Sequence, residues 1–249
     1  MENNQFLNEI KSTLPKGSEI LTIKEYYNMP AVIVADLNRD DIAETIVAYK
    51  LNNLIYVSVL EKVNDKWVIA DTVRNKGVGV SEMQTLPLEN KNVIDLIIGI
   101  KLESGLSKLY AYKFDNKKLS SILNQNVYYD KIEFENYDEK GIKGNIYDII
   151  IWQKDDLNAY NIEVYILKNG KLIPFTGDVR RYFKGIQNYY LDLIDNEGPK
   201  DVYLYHLANA EFRSGEIKKA INTLNVLIQT TSGNKQNAIN LKNKYEKML

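Results

Sequence analysis

Three stretches of the chain carry an apolar run that begins at an acidic residue. They are Glu44-Thr45-Ile46-Val47-Ala48-Tyr49, Asp95-Leu96-Ile97-Ile98-Gly99-Ile100 and Asp148-Ile149-Ile150-Ile151-Trp152. The acidic anchors stand 51 and 53 positions apart. Each run is followed by an alternating segment: Ile55–Leu60, Lys108–Tyr112 and Ile162–Leu167. A period of two places one face of a strand in a core and the other outside it. Next comes a turn pair, Asn64-Asp65, Asn116-Lys117 or Asn169-Gly170, lying 20, 21 and 21 residues past its anchor. Asn-Gly and its relatives tolerate the positive φ that tight hairpins require. Beyond each turn a Lys and an apolar residue (Lys66-Trp67, Lys118-Leu119, Lys171-Leu172) start another strand. Anchors and turns agree in register, which is the signature of a repeat. The pattern predicts three antiparallel meanders of three or four strands, in units of about 30–78, 79–126 and 127–178. Trp67, one residue past its turn and its lysine, is expected to be buried.

From Val179 the period changes from two to that of a helix. Val179–Asp195 predicts one helix, closed by Asn196-Glu197-Gly198-Pro199, and Lys235–Leu249 predicts a last one after Thr231-Ser232-Gly233. Between them, Tyr203–Ile228 spaces Leu204, Leu207, Ala208, Ile217, Ala220, Leu224 and Leu227 as a pair of packed helices would, with Gly215 in the turn. This stretch resembles one tetratricopeptide repeat. A single such unit buries too little to stand alone. The tail, 179–249, therefore reads as a helical cap on the β part, 1–178, or as a small groove that holds a partner peptide. The expected fold class is mainly β plus α: three blade-like meanders, an incomplete propeller or stacked sheets, with a C-terminal helical cap.

Composition narrows the functional classes. Hydrophobic residues at 45% and charged ones at 26% exclude wholesale disorder. The 18 Tyr, against 6 Phe and 2 Trp, suit half-exposed β surface, where a ring packs while its hydroxyl stays wet. A net charge of −1 argues against a general nucleic-acid binder, which needs a basic surface. Residues 200–249 hold eight basic and four acidic residues, against 24 and 29 before them, so the tail is mildly basic and the rest mildly acidic. With no cysteine there is no disulfide framework, thiolate zinc site or cysteine nucleophile. No apolar run reaches the roughly 18–20 residues of a membrane span. The start, Met1-Glu2-Asn3-Asn4, lacks both parts of a signal peptide, which fits a cytoplasmic protein or one whose leader has been trimmed.

The segment Ala35-Asp36-Leu37-Asn38-Arg39-Asp40-Asp41-Ile42-Ala43-Glu44, leading into an apolar strand, resembles the Asp-rich loop of integrin-type (FG-GAP/VCBS) β-propeller repeats. With the hairpin Asn64-Asp65-Lys66-Trp67 it is similar to repeat domains of exported lipoproteins in Gram-positive bacteria. The resemblance covers roughly residues 30–175 and is strongest in the first unit. It implies blade-like sheets and a location outside the cell, anchored to the surface by a lipid on the full-length precursor. The sequence departs from the pattern: Asp41 replaces the glycine of the sharp turn. Pro87, Glu89 and Lys91 stand where Asp36, Asn38 and Asp40 would align. The third unit has a stretched loop, Asn136-Tyr137-Asp138-Glu139-Lys140-Gly141. Three blades are also fewer than the 4–8 of a closed propeller.

Asp36, Asn38, Asp40 and Glu44 are the candidate site. A hard cation such as Ca²⁺ takes six to eight oxygens, and alternate side chains of a tight loop supply several. The other role open to Asp36 and Asp40 is to hold the turn by bonding to their own backbone. Catalysis has less to work with. The only histidine, His206, lies inside a predicted helix as a surface or packing residue, and no nucleophile elbow, phosphate loop or dinucleotide fingerprint is present. Asp155-Asp156 and the acidic stretch 135–139 read as solvated loop charge. The sequence points to a non-enzymatic binding or interaction module whose partner is a protein or cell-wall component. The alternatives are a cytoplasmic tetratricopeptide adaptor and a carboxylate-based carbohydrate-active enzyme.

Overall fold

The computed structural model describes residues 2–23, 28–137, 143–231, 233 and 235–248. Helix α1 (Glu2–Thr13) comes first, then the short strands β1 (Glu19–Ile20), β2 (Thr22–Ile23) and β3 (Met29–Pro30). Three four-stranded meanders follow. The first is β4 (Val32–Ala35), β5 (Glu44–Leu51), β6 (Leu54–Val63) and β7 (Lys66–Asn75). The second is β8 (Gly79–Leu86), β9 (Asp95–Lys101), β10 (Ser107–Asp115) and β11 (Lys118–Ser121). After β12 (Val127–Tyr129), the third is β13 (Lys131–Tyr137), β14 (Lys143–Lys154), β15 (Tyr160–Lys168) and β16 (Lys171–Pro174). Each meander is the body of a separate sheet, β1 joining the first and β2, β3 and β12 the second. No sheet closes into a barrel. Four helices complete the chain: α2 (Arg180–Glu197), α3 (Asp201–Arg213), α4 (Ile217–Thr230) and α5 (Lys235–Glu246). The protein is thus mainly β with C-terminal helices. Of the stretched third-unit loop, residues 138–141 lie outside the described residues, as does Ser232 of the expected break before the last helix.

The repeat has a local cause in its turns. Val63 pairs with Lys66, Asp115 with Lys118 and Lys168 with Lys171, so each hairpin closes on two residues. Those pairs have φ of 49° and 60° at Asn64-Asp65, 49° and 60° at Asn116-Lys117, and 51° and 76° at Asn169-Gly170. This double left-handed conformation matches the twist of the flanking strands, which is why Asn leads each pair. Only the third turn carries glycine, and packing explains it. A Cβ on Gly170 would stand 2.1 Å from Asn124 Nδ2, and the Gly170 carbonyl accepts from the Asn124 N–H at 2.7 Å.

Contacts divide the chain into two compact units: Met1–Glu135 with Asn145–Ile151 and Val164–Pro174, and Asn136–Gly144 with Trp152–Glu163 and Phe175–Leu249. In the first unit, β5 reads as a continuous apolar run because it is buried on both faces. Ile46 and Ala48 meet Val80, Leu96, Ile98 and Ile100 of the second sheet. Val47 and Tyr49 face Ile10 of α1 and Leu14 just past its end. Likewise Ile97 of β9 turns away from Ile98 to meet Ile149, Ile151 and Leu167. Helix α1, which the pattern reading passes over, thus covers the outer face of the first sheet. Its signal was present as Phe6, Ile10 and Leu14 at helical spacing. Trp67 is half-buried rather than fully buried, edge-on to Phe6 at 6.0 Å, because it lies on the last strand of its sheet.

In the second unit, Leu204, Ala208, Ala220, Leu224 and Leu227 form one core with Ala238 and Tyr245 of α5. Ala208 and Ala220 are fully buried, so the small side chains set how closely α3 and α4 approach. Gly198 and Gly215 end α2 and the α3–α4 turn with φ of 86° and 89°. The residues 152–163 pack here too. Trp152 Nε1 donates to the Tyr182 hydroxyl at 3.0 Å, and the Tyr190 hydroxyl donates to the Tyr160 carbonyl at 3.0 Å.

Candidate functional site

The first two acidic anchors are structural clasps. Glu44 opens β5, and its Oε2 accepts the Leu37 N–H at 2.8 Å. Asp95 opens β9, and its Oδ2 accepts the Leu88 N–H at 2.9 Å. In both, the donor lies seven residues upstream, so the carboxylate closes the loop into its strand and pulls a leucine inside. Leu37 is 2% exposed and Leu88 1%. The third anchor, Asp148, is buried to the same degree as Glu44. Burial pushes the Asp95 carboxyl up to about 6, partly opposed by the Leu88 N–H, with the Glu89 charge adding to the rise. Glu44 is raised for the same first reason, the Leu37 N–H opposing and Asp40 and Asp36 reinforcing.

The Asp-rich loop spends its acceptors on itself. Asp36 Oδ1 accepts the Asp40 N–H at 3.2 Å, and Oδ2 accepts the Asp41 N–H at 3.0 Å. Asn38 Oδ1 also takes the Asp40 N–H, at 3.0 Å, while Asp40 Oδ1 takes that of Ile42 at 2.9 Å. Asn38 Nδ2 donates to Asp40 Oδ2 at 3.1 Å. Arg39 and Asp41 sit at φ of 60° and 67°, so Asp41 adopts the left-handed backbone that glycine takes most easily. The structure thus places Asp36, Asn38 and Asp40 on one loop and Glu44 at the start of the strand it leads into, with the two aspartates facing backbone N–H groups. Among the described residues no three His, Asp or Glu side chains gather as a metal ion requires.

This loop does border a groove. A cavity of about 450 Å³ is lined by its residues Asn38, Asp40, Ile42 and Glu44, by residues 61–63 at the end of β6, and by the turn residues 115–117. Lys117 Nζ meets Glu61 Oε2 across it at 2.5 Å. Ile42 and Val63 lie on its rim, 63% and 43% exposed. Asp40, Glu44, Glu61 and Asp115 outnumber Lys62 and Lys117, leaving the lining negative. The sequence did not announce this grouping, because residues 40, 61 and 117 come together only through the packing of the first two sheets. A second hollow, about 610 Å³, lies between Glu9, Ser12 and Thr13 of α1 and Asp65 with residues 66–69 of β7.

His206 also had a partner that spacing did not reveal. It is 3% exposed, and its Nε2 lies 2.9 Å from Asp155 Oδ2. Asp155 is therefore bonded rather than free loop charge. The acidic residues 138 and 139 lie outside the described residues. No protein-family model matches the sequence, and no curated protein matches it.

Proposed function

We propose that the chain is a non-enzymatic binding module and that its ligand sits in the groove at the loop end of the first two meanders. The observation that carries this reading is the lining. Acidic side chains from three segments face the cavity beside two exposed apolar residues, Ile42 and Val63. Such a surface favours a positively charged or polyhydroxylated ligand with an apolar edge, as a protein segment or a cell-wall component offers. The carboxylates most deeply buried nearby, Glu44 and Asp95, hold loops in place, which suits a rigid scaffold more than acid–base work. The resemblance to exported repeat domains supports a place at the bacterial cell surface, with a lipid anchor on the full-length precursor.

The test is a titration of the full chain with basic peptides and cell-wall glycan fragments, compared with the double variant Glu61→Gln, Asp115→Asn. Binding reduced at least tenfold in the variant is the expected result. Equal binding by both proteins would sink the groove assignment, and turnover of a glycan would return the carbohydrate-active alternative. Fractionation of the native host checks the surface location.

A further inference from the structure

The second unit holds the chain's only histidine in a position that the binding reading leaves unused. His206 lies on α3, its ring stacked on Tyr190 of α2 at 5.7 Å and 14° and edge-on to Tyr205 at 5.6 Å. Its one hydrogen-bonded carboxylate belongs to neither helix. Asp155 stands where β14 ends, and the turn 155–159 is closed by the Asp155 N–H on the Ala159 carbonyl and the Ala159 N–H on the Asp156 carbonyl. The same turn is held to α2 by the Tyr189 hydroxyl on the Asn158 carbonyl at 2.6 Å and by Asn158 Nδ2 on Glu197 at 3.2 Å.

We propose that His206 is a pH-operated latch, neutral when it fastens the β14–β15 turn to the helices and loosening that turn when it takes a second ring proton. With Nε2–H donating to Asp155, the neutral ring fits its site; the cation would give up nearly all its hydration at 3% exposure, while its counter-charge Asp155 is 47% exposed and screened by solvent. Burial lowers the imidazole from its ordinary value as the leading cause, and the bond and charge of Asp155 oppose it. Among the described residues, the groups facing the ring are Asp155 from the turn, Tyr190 from α2 and Tyr205 from α3. Burial raises the Tyr190 hydroxyl, so it stays neutral throughout. Glu197, the last residue of α2, is held down to about 2 by Lys200, Tyr203 and Asn158, and keeps its charge. His206 is thus the buried member of this clamp whose second proton the site opposes. The sign follows: a histidine lowered in the folded state contributes stability above its unfolded pKa of about 6.5 and loses it as pH falls towards the folded value.

Because the histidine is single, its ring protons give one proton-NMR titration in the full chain without assignment. The expected midpoint lies below about 6.5. Trp152, which touches Tyr160 and Tyr189 beside the turn, should report a fluorescence transition at the same midpoint, and that transition should vanish in His206→Gln. Asp95 in the other unit is pushed up to about 6, so the His206→Gln difference separates the two. Should His206→Gln fold poorly, Asp155→Asn serves instead: loss of the opposing carboxylate should move the histidine midpoint lower still. A midpoint at or above about 6.5, a Trp152 transition that survives in His206→Gln, or an upward move in Asp155→Asn would each overturn the latch.

Discussion

Replacing Asp95 with Asn offers a direct test of the clasp that recurs at the start of the second strand of the first two meanders. The folded protein holds the Asp95 proton up to about pH 6, whereas the unfolded chain releases it near 3.8. The folded state therefore binds more protons across that interval. The group's contribution is fully present below the unfolded value and is lost as pH rises through about 6. One pKa unit is worth about 1.4 kcal/mol, so at 3% exposure the loss between pH 4 and pH 7 is on the order of 2 kcal/mol. Asparagine keeps an oxygen for the Leu88 N–H but carries no charge, so it removes the pH dependence while keeping the clasp. Its added NH₂ costs about 1–3 kcal/mol if it finds no partner, independently of pH. The assay is urea unfolding of both proteins at pH 4, 5, 6 and 7. The stability difference between them should drift by about 2 kcal/mol in favour of Asp95→Asn as pH rises. A difference that stays constant over that range would refute both the raised carboxyl and the linkage built on it.

Other outcomes follow from the packing. Gly99→Ala should cost about 2 kcal/mol or more in thermal unfolding, because its Cβ would stand 1.9 Å from the Tyr129 hydroxyl and 2.7 Å from Ser81 Oγ; Tyr129→Phe in the same chain should restore part of the loss. Ala220→Leu should cost about 1–3 kcal/mol by overfilling the fully buried α3–α4 contact, read as a lower melting point of the helical circular-dichroism signal. A fragment ending at Asp178 removes the helices from Trp152, Tyr160 and Ile162, all 9% exposed or less, and should aggregate or dimerise in light scattering; a monomeric, cooperatively folding fragment would contradict that. Millimolar Ca²⁺ should leave the melting temperature unchanged, since the Asp36 and Asp40 oxygens already serve backbone N–H groups; a rise of several degrees would show that the loop rearranges to bind it.

Local chemistry made much of the fold legible in the sequence. A two-residue hairpin needs two residues at positive φ, so Asn64-Asp65, Asn116-Lys117 and Asn169-Gly170 announce themselves whatever surrounds them. Helix ends at Gly198 and Gly215 are legible for the same reason, and so is the period change near Val179. The recurring acid before each apolar run was visible as a spacing, but its purpose was not: the Leu37 and Leu88 N–H groups it accepts are set by how the loop folds back. Asp36, Asn38, Asp40 and Glu44 lie close together because they are neighbours in the chain. Which way their oxygens turn depends on Arg39 and Asp41 adopting left-handed backbone, a choice made by the whole loop.

Contacts between residues far apart in sequence belong to the tertiary structure alone. Nothing near Lys117 in the chain points to Glu61, and nothing near His206 points to Asp155, 51 residues away. Both pairs exist because sheet register and helix packing carry distant backbone into reach, and pattern reading has access only to periods of two and 3.6. Burial on both faces of β5 and β9 hid the partner of each face as well: an unbroken apolar run says that two layers cover the strand, not that one of them is α1. The sequence by itself thus determined the repeat, the turns and the helical tail, whose causes lie within a few residues. The groove, the latch and the covered outer face were decided by the tertiary structure, because each is a relation between segments that the chain separates by dozens of residues.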